Sequence, residues 1–218
     1  MIDRKYIKGI ARNMVRGRWF RLLMGFIPML AVILVISVIT SALSQLSAEA
    51  SGAIAGLLSM CAGGLGIFYA CAYFLKFIRT SDCRFNSVFK AIRNGKHFLH
   101  IVVANLITFI LVGLGMALLI IPGLILAAWL FPINYVLVDD PSLTFVQAIK
   151  ISRKIMRGRT LEYIGLLLSF IGWIILGLFT FGILYLWLVP YMQTTMAIYY
   201  HEACGIAAED ARIGDYYG

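Results

Sequence analysis

Charge is scarce in this sequence, at 13% of residues, and no Asp, Glu, Lys or Arg falls deep inside its long apolar runs. Ion-coupled pumps keep such a group at depth, so proton- or cation-driven transport is not expected. Cysteine is sparse too. Cys61, Cys71, Cys83 and Cys204 form no Cys-x-x-Cys pair, which argues against a thiolate metal site or disulfides. Of the histidines, His97 and His100 lack a third ligand, and His201-Glu202 lacks the second histidine of a His-Glu-x-x-His zinc motif. Asp139 and Asp140 are neighbours pointing in different directions, which suits helix capping better than acid–base work. No phosphate-binding glycine loop occurs. No catalytic residue, metal or cofactor is therefore expected, and the chain is not expected to be an enzyme.

What the sequence has is apolar length. It is 61% hydrophobic over 218 residues, with a mean hydropathy of +0.90. That composition is the signature of a polytopic membrane protein. Continuous apolar runs occupy 20–46, 52–75, 98–121, 122–138, 161–179 and 181–200. Most approach the ~20 residues that a membrane helix needs, and none alternates as a barrel strand would. The sequence thus predicts an all-α integral membrane protein of six transmembrane helices in three hairpins. The long basic stretch before the first run, and the length of that run, predict an uncleaved helix rather than a signal peptide.

The cations give the orientation. Eighteen of the 19 Lys and Arg lie before the first run, between the second and third, or between the fourth and fifth. The opposite loops hold none. By the positive-inside rule both termini face the cytoplasm. The net charge of +9 is therefore assigned to anionic headgroups, and nucleic acid is not an expected partner.

A basic stretch recurs three times, as Ile10-Ala-Arg-Asn-Met-Val-Arg-Gly-Arg18, Val88-Phe-Lys-Ala-Ile-Arg-Asn-Gly-Lys96 and Ile151-Ser-Arg-Lys-Ile-Met-Arg-Gly-Arg159. At 100° per residue, Tyr6, Ile7, Ile10, Ala11, Met14 and Val15 share a face opposed to Lys5, Lys8, Arg12 and Arg16. In the third copy Phe145, Ala148, Ile149, Ile151, Ile155 and Met156 oppose Lys150, Arg153, Lys154 and Arg157, with Val146 the one misfit. In the second, Phe85, Val88, Phe89 and Ile92 oppose Lys90 and Arg93. Each copy predicts a basic amphipathic helix lying in the membrane surface, apolar side down, ahead of a hairpin. The glycine suits a left-handed helix end. Asp140 and Pro141 are expected to start the third of these helices. The pseudo-repeats run over about 1–75, 76–138 and 139–204, with 205–218 as a short, frayed, polar cytoplasmic tail.

The two later hairpins also share a glycine turn, then Trp-x-x-Pro, then an amide: Trp129, Pro132, Asn134 and Trp187, Pro190, Gln193. Asn105, Asn134 and Gln193 are the best-placed polar groups within the apolar runs, with Thr108, Thr194 and Thr195 beside them. Such amides usually bond to neighbouring helices, and they are also the candidates for an intramembrane polar site.

Ile121-Pro-Gly-Leu124, Phe131-Pro-Ile-Asn-Tyr-Val-Leu-Val-Asp139, Ala148 to Gly158, Leu167 to Trp173 and Leu186 to Tyr191 together resemble an uncharacterised bacterial (Firmicutes-type) integral membrane family, "domain of unknown function nine-seven-five". The order of motifs is also similar to the membrane domain attached to some glycerophosphodiester phosphodiesterases. That enzymatic activity is not expected here, because the resemblance covers the membrane domain alone. The family implies a fold and no established activity.

The function expected is that of a non-enzymatic integral membrane protein of the bacterial plasma membrane. It would engage anionic lipid headgroups, or another membrane protein, in envelope maintenance. The headgroup-binding candidates are Lys150, Arg153, Lys154, Arg157, Arg12, Arg16, Lys90 and Arg93. The alternative is a passive transporter or channel for a small or lipidic solute, lined by Asn105, Asn134 and Gln193.

Overall fold

A computed structural model describes residues 4–44, 48–80 and 95–217. Ten helices lie among them: α1 (Arg4–Val15), α2 (Trp19–Met24), α3 (Ile27–Ser44), α4 (Ala48–Thr80), α5 (Gly95–Leu118), α6 (Ile120–Leu130), α7 (Ile133–Asp139), α8 (Phe145–Met156), α9 (Thr160–Phe179) and α10 (Tyr185–Tyr217). No strand occurs among the described residues. Four helical stretches are long and apolar enough to cross a membrane: Leu58–Thr80, Phe98–Leu118, Ile121–Asp139 and Thr160–Phe179.

Local chemistry sets several boundaries differently from the apolar runs. The fourth run is cut into α6 and α7 at Phe131-Pro132, where proline offers no N–H to continue the ladder. Pro190 is instead accommodated inside α10. That helix runs on to Tyr217, through the tail expected to fray. The Asp140–Pro141 helix start is also corrected. Asp140 ends α7 and accepts the Ser142 N–H, while α8 starts after Thr144, whose N–H donates to Gln147 Oε1 at 2.9 Å in a capping box. The capping box closes four residues later because it satisfies the free N-terminal donors more completely than one aspartate can.

The core sits where α4, α7 and α10 meet. Phe68, Phe74 and Phe77 of α4, Ile133, Tyr135 and Leu137 of α7, and Ala197, Tyr199 and Ala203 of α10 are all buried. α3 packs beside α4, and α5 beside α6, while α4 touches α5, α7 and α10. Arg79 at the end of α4 forms a two-pronged ion pair with Asp139 at the end of α7, at 2.6 and 3.0 Å. Tyr200 of α10 donates to the same carboxylate at 2.8 Å. The ends of α4 and α7 are thereby held together beside the middle of α10.

Candidate functional site

Both described basic helices are seated on the rest of the chain. In α1, Ile7, Ala11 and Val15 are buried, one per turn, so the face opposite the cations packs against α10. Passing from Arg4 to Arg16, its neighbours climb from Gly165 and Phe170 of α9 to Trp187 of α10. α1 therefore runs beside the α9–α10 pair. In α8, Ala148, Ile155 and Met156 are buried against α5, α6 and α7. The expectation that these apolar faces lie down into lipid is corrected for their buried residues, which neighbouring helices of the chain cover, while Tyr6 and Ile151 of the same faces stay exposed. The helix-ending glycines behave as expected, Gly17 at φ +78° and Gly158 at φ +77°.

The opposite faces of α1 and α8 hold the candidate cations. Arg12 and Arg16, and Lys150, Arg153, Lys154 and Arg157, are all exposed. Among the described residues no carboxylate pairs with any of them. Arg12, Asn13 and Arg16 line a recess of about 500 Å³ whose fourth wall is Trp187. On α8, the Arg153 guanidinium stands over the Trp129 ring at 4.8 Å, and the Trp129 indole N–H donates to Thr160 Oγ1 at 3.0 Å. Arg12 and Arg153 occupy the same position in their basic stretches, and Trp187 and Trp129 the same position in their Trp-x-x-Pro motifs. Each basic helix thus meets a tryptophan of another repeat. Lys8 reaches the Phe170 ring at 4.4 Å, and partial burial, then the Arg4 charge, lowers its pKa. Lys90 and Arg93 lie outside the described residues.

Two of the three candidate amides come together. Asn105 donates to Asn134 Oδ1 at 3.0 Å, and Asn134 donates back to Asn105 Oδ1 at 3.1 Å. Asn105 also donates to the Ile101 carbonyl. Among the described residues no hydrogen bond joins Gln193 to this pair. The Thr194 and Thr195 hydroxyls are buried and donate one turn back, to the carbonyls of Pro190 and Tyr191. Asn105 forms part of the wall of a groove of about 400 Å³ between α4 and α5, lined otherwise by Ser59, Gly63, Gly64, Ile67 and Phe109 among others.

Neither the Arg79–Asp139–Tyr200 cluster nor the Arg153–Trp129 contact is legible in the sequence. Each joins residues far apart in the chain, and only the recurrence of Trp-x-x-Pro beside a recurring arginine hinted at the second.

Among the curated proteins and the solved structures nothing matches the chain. Residues 116–205, which hold the α6–α7 break, the capping box, α8 and the Trp187–Pro190 motif, match the family model described as Protein of unknown function (DUF975). This is the family that the motifs resemble, and the match covers that stretch alone.

Proposed function

We propose that this is a non-enzymatic protein of the bacterial plasma membrane that holds anionic lipid headgroups on the cation faces of α1 and α8. The observation that carries the reading is that these cations are exposed and, among the described residues, without carboxylate partners, while buried residues on the opposite sides of their helices pack into the bundle. A guanidinium held on a rigid element is preorganised for phosphate, to which it donates in a two-pronged fork. Nearby indoles suit the headgroup level of a bilayer. Both termini lie on the cytoplasmic side in this reading, because 18 of the 19 Lys and Arg fall on that side of the apolar runs. A role in envelope maintenance fits a protein that retains lipid without converting it.

The alternative, a passive path for a small or lipidic solute, draws on the groove beside Asn105. The mutual bonding of Asn105 and Asn134 supports a packing role for those amides instead. Native mass spectrometry of the full chain tests the leading reading. The parent should retain phosphatidylglycerol over phosphatidylcholine, and the variant Lys150→Gln, Arg153→Gln, Lys154→Gln, Arg157→Gln should retain less. Equal retention of both lipids by the parent would contradict it.

A further inference from the structure

We propose that Arg12, Asn13, Arg16 and Trp187 form a phosphate-binding site within the thickness of the bilayer, beside the α9–α10 pair. The ligand is a phosphate group, either that of an anionic phospholipid or free inorganic phosphate. α9 is 20 residues long and apolar enough to cross a membrane. At 1.5 Å per residue it spans about 30 Å, a full hydrocarbon core. Its foot marks the membrane surface. There Thr160 accepts from Trp129, the ring over which Arg153 stands, so the cations of α8 stay at the headgroup level.

The cations of α1 do not. Arg4 lies against Gly165, five residues from Thr160 and thus about 8 Å along α9. The Lys8 ammonium stands 4.4 Å from the centre of the Phe170 ring, ten residues and about 15 Å along. Trp187, which shares a recess with Arg12 and Arg16, meets Trp173 at 6.4 Å between ring centres. Tyr185, two residues earlier, donates to the Ile174 carbonyl at 2.8 Å and fixes the same register. Trp173 is thirteen residues from Thr160, about 20 Å along α9 and about 9 Å short of Phe179. α1 therefore stands upright beside the crossing pair, with Ile7, Ala11 and Val15 buried against α10. Arg4, Lys8, Arg12 and Arg16 recur every fourth residue and climb to hydrocarbon depth.

Like charges four apart on a helix repel, so this row destabilises α1 unless something offsets it. Among the described residues no carboxylate does. Ionisable groups at membrane depth face the protein or a water-filled cavity, and they mark substrate or ion sites. The cavity is present, since Arg12, Asn13, Arg16 and Trp187 line about 500 Å³. Among the described residues none of these four side chains makes a hydrogen bond or an ion pair. Two guanidiniums one turn apart present forks to the oxygens of a phosphate, and the amide and indole N–H groups are further donors. Trp129 gives the contrast, because Thr160 already takes its indole N–H. Of the two equivalent tryptophans, one is satisfied by the chain and the other keeps its donor for a ligand.

The inference rests on the reading of the α1 cations as phosphate ligands and adds their depth, so depth is measured separately. Gly9 follows Lys8 and has open space where a Cβ would stand. A fluorophore on Gly9→Cys in the full chain, corrected for the parent's labelling, should be quenched more by an acyl-chain nitroxide than by a headgroup nitroxide. The reverse order would overturn the placement. For a lipid phosphate, native mass spectrometry is run on Lys150→Gln, Arg153→Gln, Lys154→Gln, Arg157→Gln. This variant should still retain some phosphatidylglycerol, and adding Arg12→Gln and Arg16→Gln should remove most of it. For free phosphate, the parent in phosphatidylcholine nanodiscs should melt higher in inorganic phosphate than in chloride, and Arg12→Gln with Arg16→Gln should not. A response in either arm supports the site and names its source. No dependence on Arg12 and Arg16 in either arm would overturn it. Should the double Gln variant fail to melt cooperatively, Arg12→Lys with Arg16→Lys replaces it and should show the same losses in part. A parent with no preference for phosphatidylglycerol sinks the headgroup reading, whereas a phosphate response lost with Arg12 and Arg16 leaves this site standing.

Discussion

Asn105 and Asn134 exchange two hydrogen bonds, amide to amide in both directions, across the gap between α5 and α7. Asn134 is only 5% exposed, so the pair replaces water for two groups that would otherwise be left bare. Either single change to Leu strands the remaining amide and should destabilise by about 1–2 kcal/mol. The double change should cost less than the sum of the two, with a coupling of about 0.6–1.7 kcal/mol in unfolding from detergent micelles. Strict additivity would remove the pair from the account of what holds α5 to α7.

Much of this architecture is legible in the chain itself. Unbroken apolar runs announce helices, and the apolar spacing that holds Ile7, Ala11 and Val15 announces the face that α1 buries, although Tyr6 of that face is exposed. Gly17 and Gly158 announce the helix ends, because a left-handed residue suits glycine. Periodicity specifies a face but not its partner, which is why lipid was expected where α10 and α5–α7 are found. Asp140-Pro141 was a plausible helix start that lost to the stronger Thr144–Gln147 box. The meeting of Arg153 with Trp129 depends on how the repeats dock, which no local pattern encodes.

Glycine substitutions should separate two roles. At Gly158, φ is +77° and any side chain is strained, so Gly158→Leu should cost about 1 kcal/mol or more in thermal unfolding. Gly172 lies inside α9 with nothing near its missing Cβ, so Gly172→Ala should instead stabilise by about 0.5–1 kcal/mol. Equal effects of the two would mean that the turn into α9 does not depend on Gly158.

Tyr200→Phe removes one donor to Asp139 and leaves the Arg79 ion pair in place. The cluster is partly exposed, so the loss should be about 1 kcal/mol or less. Asp139→Asn removes the carboxylate from both partners and should cost more than Tyr200→Phe in the same unfolding measurement. The reverse order would show that the Tyr200 hydroxyl acts through a partner other than the Asp139 carboxylate, such as Cys204.

The lowered pKa of Lys8 has a defined sign. An amine that holds its proton less well when folded makes the unfolded chain the better proton binder between the two pKa values. Stability should rise with pH through that window, below the ordinary lysine value, and Lys8→Met should flatten the rise. A Lys8→Met profile parallel to the parent's would assign the slope to other groups.

The central claim is that the cations of α8 are held out for anionic lipid. It is tested most directly by the thermal midpoint of the full chain in nanodiscs of phosphatidylglycerol and of phosphatidylcholine. Each cation near an anionic surface contributes about 1 kcal/mol, and about 1 kcal/mol moves the midpoint of a chain this long by roughly 2–4 °C. The parent should melt several degrees higher in phosphatidylglycerol. Most of that difference should vanish when Lys150, Arg153, Lys154 and Arg157 are all changed to Gln. A parent with the same midpoint in both lipids, or a variant that keeps the full difference, would contradict the claim.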